Sequence, residues 1–183
     1  MGRKICTTLF LLLPLCWMLA LPAAAGGNFR LFSPAFPSGG EIPARFTCDG
    51  ENVSPPLAWS APPPGTRSLA LIVSDPDAPD PAAPRITWTH WILYNLPPAI
   101  RALPEAVAPA ALPPEARQGR NDWQRTGYGG PCPPVGTHRY FFRLYALDTP
   151  LPDLHMPDRR RLLQAMQGHI LEVAEWMGRY RRR

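Results

Sequence analysis

The sequence predicts a mainly β domain that carries one helix near its carboxyl end. Three observations support this prediction: 26 prolines in 183 residues, several short apolar runs between turn residues, and one late stretch with helical spacing of apolar side chains. Because proline fixes φ and lacks a backbone donor, so many prolines disfavour long helices. With 45% apolar and 18% charged residues, the chain has the composition of a single globular domain.

The amino-terminal part of the domain is predicted to contain short extended segments that turns separate. Proline and glycine mark the turns, and Asp49-Gly50 suits a turn with positive φ. In order, the segments are a short strand at residues 29–32, a turn-rich stretch at 36–44, a strand that runs into a polar turn at 46–52, and an extended stretch at 54–59.

Two apolar runs joined by a proline-rich connection form the centre of the predicted sheet. Residues 69–73 are continuously apolar, as expected for a strand that is buried on both faces. Residues 88–95 form the second strand. Between them, the prolines of residues 75–79 predict a stiff loop that holds the carboxylates of Asp75 and Asp77 near one end of the sheet.

The carboxyl-terminal half is predicted to contain two loops, a strand and the helix. Residues 96–117 and 119–136 are rich in proline, alanine or glycine and are predicted to be loops. Residues 138–147 form the clearest strand, and the helix is predicted over residues 158–177 with Asp158 as its N-cap. Its apolar stripe has three- and four-residue spacing and consists of Leu162, Leu163, Met166, Ile170, Val173, Ala174 and Met177.

Residues 1–25 have the three-part layout of a secretory signal peptide. A positively charged start is followed by an apolar stretch at 5–21 and by small residues that end in Ala23-x-Ala25. An uncleaved anchor is the alternative, but the stretch is short for a bilayer span of roughly 20 residues. We therefore expect one mature domain, residues 26–183, that is periplasmic or secreted.

The positive charge lies at the two ends of the chain. Removing six terminal charges changes the formal net charge from +5 to −1; these belong to Arg3, Lys4, Arg179, Arg181, Arg182 and Arg183. The domain itself therefore gives no support for a nucleic-acid-binding face. The basic tail, residues 179–183, is interpreted as solvated, with membrane contact at most peripheral.

Two cysteines, Cys48 and Cys132, remain after removal of the signal segment. An even pair in an exported protein is compatible with a disulfide. Two separate buried thiols are equally compatible with the sequence.

Two histidines and two aspartates form the candidate site. Side chains alternate along a strand, so Trp88, His90, Ile92 and Tyr94 are predicted to share one face. The same rule places His138, Tyr140, Phe142 and Leu144 on one face of the later strand. Together with Asp75 and Asp77, these faces would form a polar cluster that can bind a phosphate or carboxylate. The alternative is that each histidine is a separate structural residue.

Five motifs, in order along the chain, resemble the phosphatidylethanolamine-binding protein family. They are FTCDGENVSPP at 46–56, DPDAP at 75–79, W-x-H-W at 88–91, GRNDW at 119–123 and GPCPPVGTHRY at 130–140. The chain is most similar to the prokaryotic branch of YbhB/YbcL-type, or Raf kinase inhibitor-like, proteins. The position before His90 is Thr89, where eukaryotic members carry a second histidine, so a kinase-inhibitor role is not expected.

The resemblance implies an antiparallel β-sandwich with an anion-binding pocket at one end of the central sheet. It implies that seven residues line this pocket, namely Asp75, Pro79, Trp88, His90, Gly130, His138 and Tyr140. It also brings Cys48 and Cys132 to the same end of the sheet, where they could form a disulfide. The expected ligand is a small anion or a phospholipid head group.

Three function classes are compatible with these residues. A non-catalytic binding protein is the first. The second is a hydrolytic enzyme, either with a metal on Asp75, His90 and His138 or with Cys132 as a nucleophile; the absence of HxH and HExxH spacing disfavours the metal. The third is an inhibitor of a protease or another protein. We expect a binding protein with no catalytic residues, no metal and no cofactor.

Overall fold

The computed structural model describes residues 1–2 and 29–182. The predicted signal segment, residues 1–25, therefore lies almost wholly outside the described residues. Within the described part, α1 (Arg159–Met166) accompanies eight strands: β1 (Leu31–Phe32), β2 (Leu57–Trp59), β3 (Ser68–Ala78), β4 (Ile86–Leu96), β5 (Ala102–Leu103), β6 (Arg117–Gln118), β7 (His138–Leu147) and β8 (Ile170–Tyr180). Short 3-10 turns lie at Ala44–Phe46 and Pro109–Ala111.

The strands form two antiparallel sheets, which confirms the predicted fold class. The smaller sheet has the order β1-β2-β5, and the larger has the order β6-β4-β3-β7-β8. The continuously apolar run of β3 is central in the larger sheet, where a strand is covered on both faces. None of the described helices has the length and apolarity needed to cross a bilayer.

Each face of the larger sheet covers its own apolar cluster. The main core lies between the sheets and includes Leu57 and Trp59 from the smaller sheet and Leu71 and Phe142 from the larger one. The second cluster lies on the opposite face, where α1 packs; it includes Ile72, Ile92, Tyr94, Leu162 and Met166. Alternate residues of β3 therefore face different layers.

The helix is shorter than the sequence predicts, and the second half of the predicted helix is β8. Asp158 caps α1 as expected, because its side chain accepts a hydrogen bond from the amide of Arg161. The helix ends at Met166, and Gly168, with φ of +82°, turns the chain into β8. β8 then pairs with β7 from Ile170 to Tyr180. The helical spacing of Ile170, Val173, Ala174 and Met177 was misleading, because these residues lie on both faces of a strand.

The stretch after residue 73 is also different from the prediction. β3 does not end at Ser74; it continues to Ala78, so Asp75 and Asp77 lie in a strand rather than in a loop. Asp75 pairs with Trp88, and a register shift follows before Ala78 pairs with Ile86. The shift includes Pro76, which has no amide hydrogen to donate to a neighbouring strand. The strand predicted at the start of 46–52 was wrong as well: Phe46 ends a 3-10 turn.

A β-bulge in β4 changes the predicted faces of that strand. Val73 of β3 pairs with Trp91, but the next residue, Ser74, pairs with Thr89, so β4 carries one extra residue. A bulge of this kind places two consecutive side chains on one side. His90 and Trp91 both face the layer that contains Tyr140, whereas Ile92 lies in the helix-side cluster. The prediction that His90 and Ile92 share a face was therefore wrong. β7 keeps its predicted alternation through Tyr140, Phe142 and Leu144.

Candidate functional site

A cavity of about 330 Å³ lies at one end of the larger sheet. It forms where the end of β3 meets the first residues of β4 and β7, and the loop at residues 119–136 closes it. Six of the seven predicted site residues line it. The full lining is Asp75, Ala78, Pro79, Ile86, Trp88, His90, Trp123, Cys132, Pro133, Pro134, His138 and Tyr140.

The seventh predicted residue, Gly130, lies behind the cavity wall. Its amide donates to Oδ1 of Asn52 at 2.7 Å, and the amide of Gly129 donates to the carbonyl of His90 at 3.0 Å. Neither amide is therefore free to bind an anion, and Gly130 does not line the cavity as the resemblance implied. A Cβ at Gly130 would lie 2.4 Å from the carbonyl oxygen of Phe46, so this position needs glycine for close packing.

Asp75 and His138 form a buried pair at the base of the cavity. Nδ1 of His138 is 2.7 Å from Oδ2 of Asp75, and Nε2 donates to the carbonyl of Val135 at 3.0 Å. The other carboxylate oxygen of Asp75 accepts from the amide of Asp77 at 2.8 Å. Burial raises the pKa of Asp75, and the hydrogen bond from His138 opposes this shift. The pair holds one proton between the carboxylate and Nδ1, and it is neutral as a unit whichever atom carries that proton.

This pairing changes the role that the sequence suggested for His138. Both of its ring nitrogens contact protein groups, so it has no ring nitrogen to offer to a ligand. Its ring instead stacks on Tyr140, with 6.4 Å between the ring centroids and 20° between the planes. His138 therefore positions Tyr140 and Asp75.

Asp77 serves Arg139 rather than the cavity. Its carboxylate accepts from the amide, Nε and Nη2 of Arg139 at 2.8, 2.9 and 2.6 Å. These hydrogen bonds lower the pKa of Asp77. The two aspartates of the DPDAP motif are therefore divided between two tasks: one holds His138, and the other fixes the start of β7.

His90 is buried, with 3% of its surface exposed, and only one of its ring nitrogens has a partner. Nδ1 donates to the carbonyl of Gly129 at 2.7 Å, whereas Nε2 is buried without a partner in the described chain. Burial lowers the pKa of His90 to about 4, against the hydrogen bonds to Gly129 and Gly130. His90 is therefore neutral at physiological pH and cannot attract an anion through a positive charge.

Two further buried polar atoms belong to residues of the cavity lining. The hydroxyl of Tyr140 and Nε1 of Trp88 have no hydrogen-bond partner among the described residues. Burial raises the pKa of Tyr140, so its hydroxyl stays protonated and can donate. An unpartnered buried polar atom costs free energy, so three of them beside one cavity indicate a place for a polar ligand or water.

The aromatic side chain of Trp123 forms part of the wall and was missed as a site residue. Its ring contacts the edges of Trp88 and His90, with centroid distances of 5.4 and 5.1 Å. The amide of Trp123 donates to Oδ1 of Asn121, which fixes the loop. Trp123 lies inside the GRNDW motif, and that motif was the only sequence signal for it.

A disulfide joins Cys48 and Cys132 at the cavity wall. The Cα–Cα distance is 5.4 Å, within the range for such bonds, so the structure contains the bonded alternative. Neither sulfur is a thiol, and Cys132 therefore cannot be the nucleophile considered from the sequence. Within residues 29–182, no group of three or more His, Cys, Asp or Glu side chains is arranged to hold a metal ion.

A wider surface depression of about 560 Å³ lies beside the carboxyl terminus, lined by Arg179, Arg181 and Arg182 among others. Arg179 belongs to β8, and Nε of Arg182 contacts Oδ1 of Asp49 at 3.1 Å. The basic tail is thus partly attached to the domain, and its last residue, Arg183, is outside the described part. Among the described residues that line this depression, none has a buried polar atom without a partner, so the smaller cavity is the better candidate site.

Comparison with known proteins gives consistent matches over nearly the whole domain. The family model described as phosphatidylethanolamine-binding protein matches residues 32–181. A UPF0098 protein of Methanothermobacter thermautotrophicus is 52% identical over 154 residues, which cover 84% of this chain and 99% of that protein. Its name assigns no enzymatic activity.

Two solved structures have the same fold. A phosphatidylethanolamine-binding protein homologue from Chlamydia trachomatis is 42% identical, with a TM-score of 0.76 and coverage of 85% of this chain and 98% of that one. YbcL of E. coli is 31% identical, with a TM-score of 0.77 and coverage of 86% and 100%.

Proposed function

The chain belongs to the phosphatidylethanolamine-binding protein family, and from this membership we propose that it is an exported, non-catalytic binding protein for a small ligand with a phosphate-like group. The ligand occupies the cavity between β3, β4, β7 and the loop at residues 119–136. The observation that carries this proposal is the set of three buried polar atoms without partners, which belong to Trp88, His90 and Tyr140.

The size and lining of the cavity suit a small head group with an apolar continuation. A volume of about 330 Å³ is at the lower end of the range for ligand sites and accommodates a phosphate or a phosphorylethanolamine. Pro133, Pro134 and Ile86 form an apolar part of the lining. A ligand can therefore place polar oxygens on Trp88 and Tyr140 while its less polar part contacts this side.

Binding without turnover is supported by the state of the candidate catalytic groups. Cys132 is in a disulfide, and both ring nitrogens of His138 contact Asp75 and Val135. A hydroxyl or thiol nucleophile is commonly activated by an adjacent general base such as a free histidine nitrogen. Among the described residues that line the cavity, Nε2 of His90 is the only such nitrogen, and none of them is a serine, a threonine or a free thiol that it could activate.

Export is supported by the layout of residues 1–25 and by the disulfide, because disulfides persist in oxidising compartments. We expect the exported protein to have an intact mass that begins near residue 26. A mass that retains Cys6 and Cys16 would contradict this part of the proposal.

The binding test is calorimetric titration of the mature protein with inorganic phosphate and with phosphorylethanolamine. Tyr140→Phe removes one donor from the cavity and should weaken binding by roughly 10- to 100-fold, the equivalent of one hydrogen bond to a charged group. Tyr145→Phe is the matched control, because Tyr145 lies on the same strand but packs against the helix-side cluster. Release of inorganic phosphate from phosphorylethanolamine would refute the proposal. Equal affinities of the wild-type protein, Tyr140→Phe and Tyr145→Phe would refute it as well.

A further inference from the structure

The position of the hydrogen on the ring of His90 decides which hydrogen-bonding group a ligand must present to Nε2. We propose that His90 acts as a hydrogen-bond acceptor, and that the cavity therefore binds an anion which carries its own hydrogen-bond donor, such as the hydroxyl of hydrogen phosphate or the ammonium group of phosphorylethanolamine, and rejects an oxyanion without a donor, such as sulfate. This inference rests on the proposed function and names the ligand class of the same site.

The first step is the tautomer of His90. A carbonyl oxygen only accepts hydrogen bonds, so the 2.7 Å contact with Gly129 requires the hydrogen on Nδ1. In a neutral ring, Nε2 then carries a lone pair and no hydrogen. The loss of solvent around the ring keeps it neutral above about pH 5, because burial lowers the pKa of His90 to about 4.

The second step is the charge around His90. From β3 and β7, the Asp75–His138 pair faces the cavity as a neutral unit, and Tyr140 contributes a neutral hydroxyl. The loop at residues 119–136 contributes Trp123 and Gly129 against the ring, neither of which is ionisable. The carboxylate of Asp122, on the same loop, accepts a hydrogen bond from the amide of Thr89 at 2.7 Å.

The third step is the absence of a counter-cation. No lysine or arginine is among the described residues that line the cavity. Either dianion is therefore desolvated without a paired cation, so the hydrogen bonds must discriminate between them. One oxygen of a sulfate ion would meet the lone pair of Nε2, which is unfavourable. Hydrogen phosphate instead donates its hydroxyl to Nε2 and accepts from Trp88 and Tyr140 through its other oxygens. All three unpartnered atoms then have partners.

The test compares phosphate and sulfate by calorimetric titration of the mature protein at about pH 8.5 and constant ionic strength. At this pH, both ions have the same shape and double negative charge, and they differ by one proton. Sulfate should bind roughly 100-fold more weakly, as expected where a buried acceptor is left facing another acceptor. Equal affinities would overturn the acceptor role but leave the binding function standing. Absence of binding of either ion at about 10 mM would overturn both.

Two variants separate the acceptor role from general damage to the cavity. Trp88→Phe removes a donor that serves both ions, so both affinities should fall while their ratio stays unchanged. His90→Gln places an amide that can turn a donor toward the ligand, so the preference for phosphate should fall by at least roughly tenfold. An unchanged ratio in a folded His90→Gln protein would overturn the proposal.

The wild-type protein offers an independent measurement that does not depend on a variant. Protonation of His90 turns Nε2 into a donor, so sulfate affinity should stay low above about pH 6 and then increase by up to about tenfold for each unit of decrease in pH, toward the pKa of about 4. A sulfate affinity that does not change between about pH 6.5 and 4.5 would contradict the proposal.

Discussion

Removal of the disulfide should destabilise the protein without abolishing ligand binding. The bond joins residues separated by 84 positions, so it excludes a large set of conformations from the unfolded chain. The chain-entropy relation gives a loss of roughly 4–5 kcal/mol in the free energy of unfolding for Cys48→Ser/Cys132→Ser. Cys132 is exposed and Cys48 is half-buried, so the serine hydroxyls can remain hydrated and should add little further cost.

Other contacts keep the cavity wall in place when the bond is absent. The amide of Cys48 donates to the carbonyl of Pro131 at 3.1 Å, and the hydroxyl of Tyr128 donates to the carbonyl of Phe46 at 2.9 Å. The hydrogen bond between Gly130 and Asn52 adds a third connection. The double variant should therefore bind phosphate within about threefold of the wild-type affinity, provided that it is assayed where it is folded.

Guanidinium denaturation followed by tryptophan fluorescence measures the stability loss, and titration with phosphate measures the site. Wild-type protein that has been fully reduced serves as the control, since it should match the double variant. A loss below about 2 kcal/mol would refute the entropic reasoning, because it would mean that the reduced chain is already restricted. A folded double variant that no longer binds would show instead that the bond itself holds the wall.

Three further predictions concern single residues. Between about pH 6.5 and 4 the unfolded chain binds a proton at His90 that the folded protein does not bind. The free energy of unfolding should therefore decrease by up to roughly 3 kcal/mol as pH falls through that range. Denaturation curves measured over the same range should lack this decrease in His90→Gln. Gly130→Ala should cost at least about 2 kcal/mol by the same measurement, because its Cβ meets the carbonyl of Phe46, and a neutral result would show that the loop can move. Asp77→Asn should lower stability by about 1–2 kcal/mol at neutral pH through loss of the Arg139 pair. The difference should shrink as pH falls from about 4, the ordinary range of an aspartate, to the lowered pKa of Asp77, and a pH-independent difference would argue against this cause.

The elements with strong local signals were predictable from the sequence. The alternation of apolar and polar residues in β7 specifies a strand with one buried face. The continuous apolar run in β3 specifies a strand that is buried on both faces. The limits of β8 were not predictable, because apolar residues at 170, 173, 174 and 177 fit a helix as well as a strand. Pairing with β7 decided between them, and that contact depends on residues about 30 positions away.

The composition of the site was predicted better than its chemistry. Family motifs placed Asp75, His90 and Tyr140 at one cavity, and the structure brings them together. The donor and acceptor roles depend on contacts that no motif contains. Both histidines were expected to bind the ligand. Nε2 of His138 contacts Val135 and Nδ1 of His90 contacts Gly129, so His138 has no ring nitrogen left and His90 presents a lone pair. The β4 bulge, which turns His90 toward Tyr140, likewise has no local signature.

The same bulge has a consequence for the rate at which a ligand enters. It sets His90 next to Trp91, which is 97% buried and packs its ring edge against Tyr128 at 5.8 Å. His90 and Gly129 also exchange two hydrogen bonds, one through the ring and one through the backbone. The recognition side chain thus has the rigidity of the core and is ordered before the ligand arrives, so association needs no preceding rearrangement. In stopped-flow mixing, the observed rate should rise linearly with phosphate concentration without reaching a plateau.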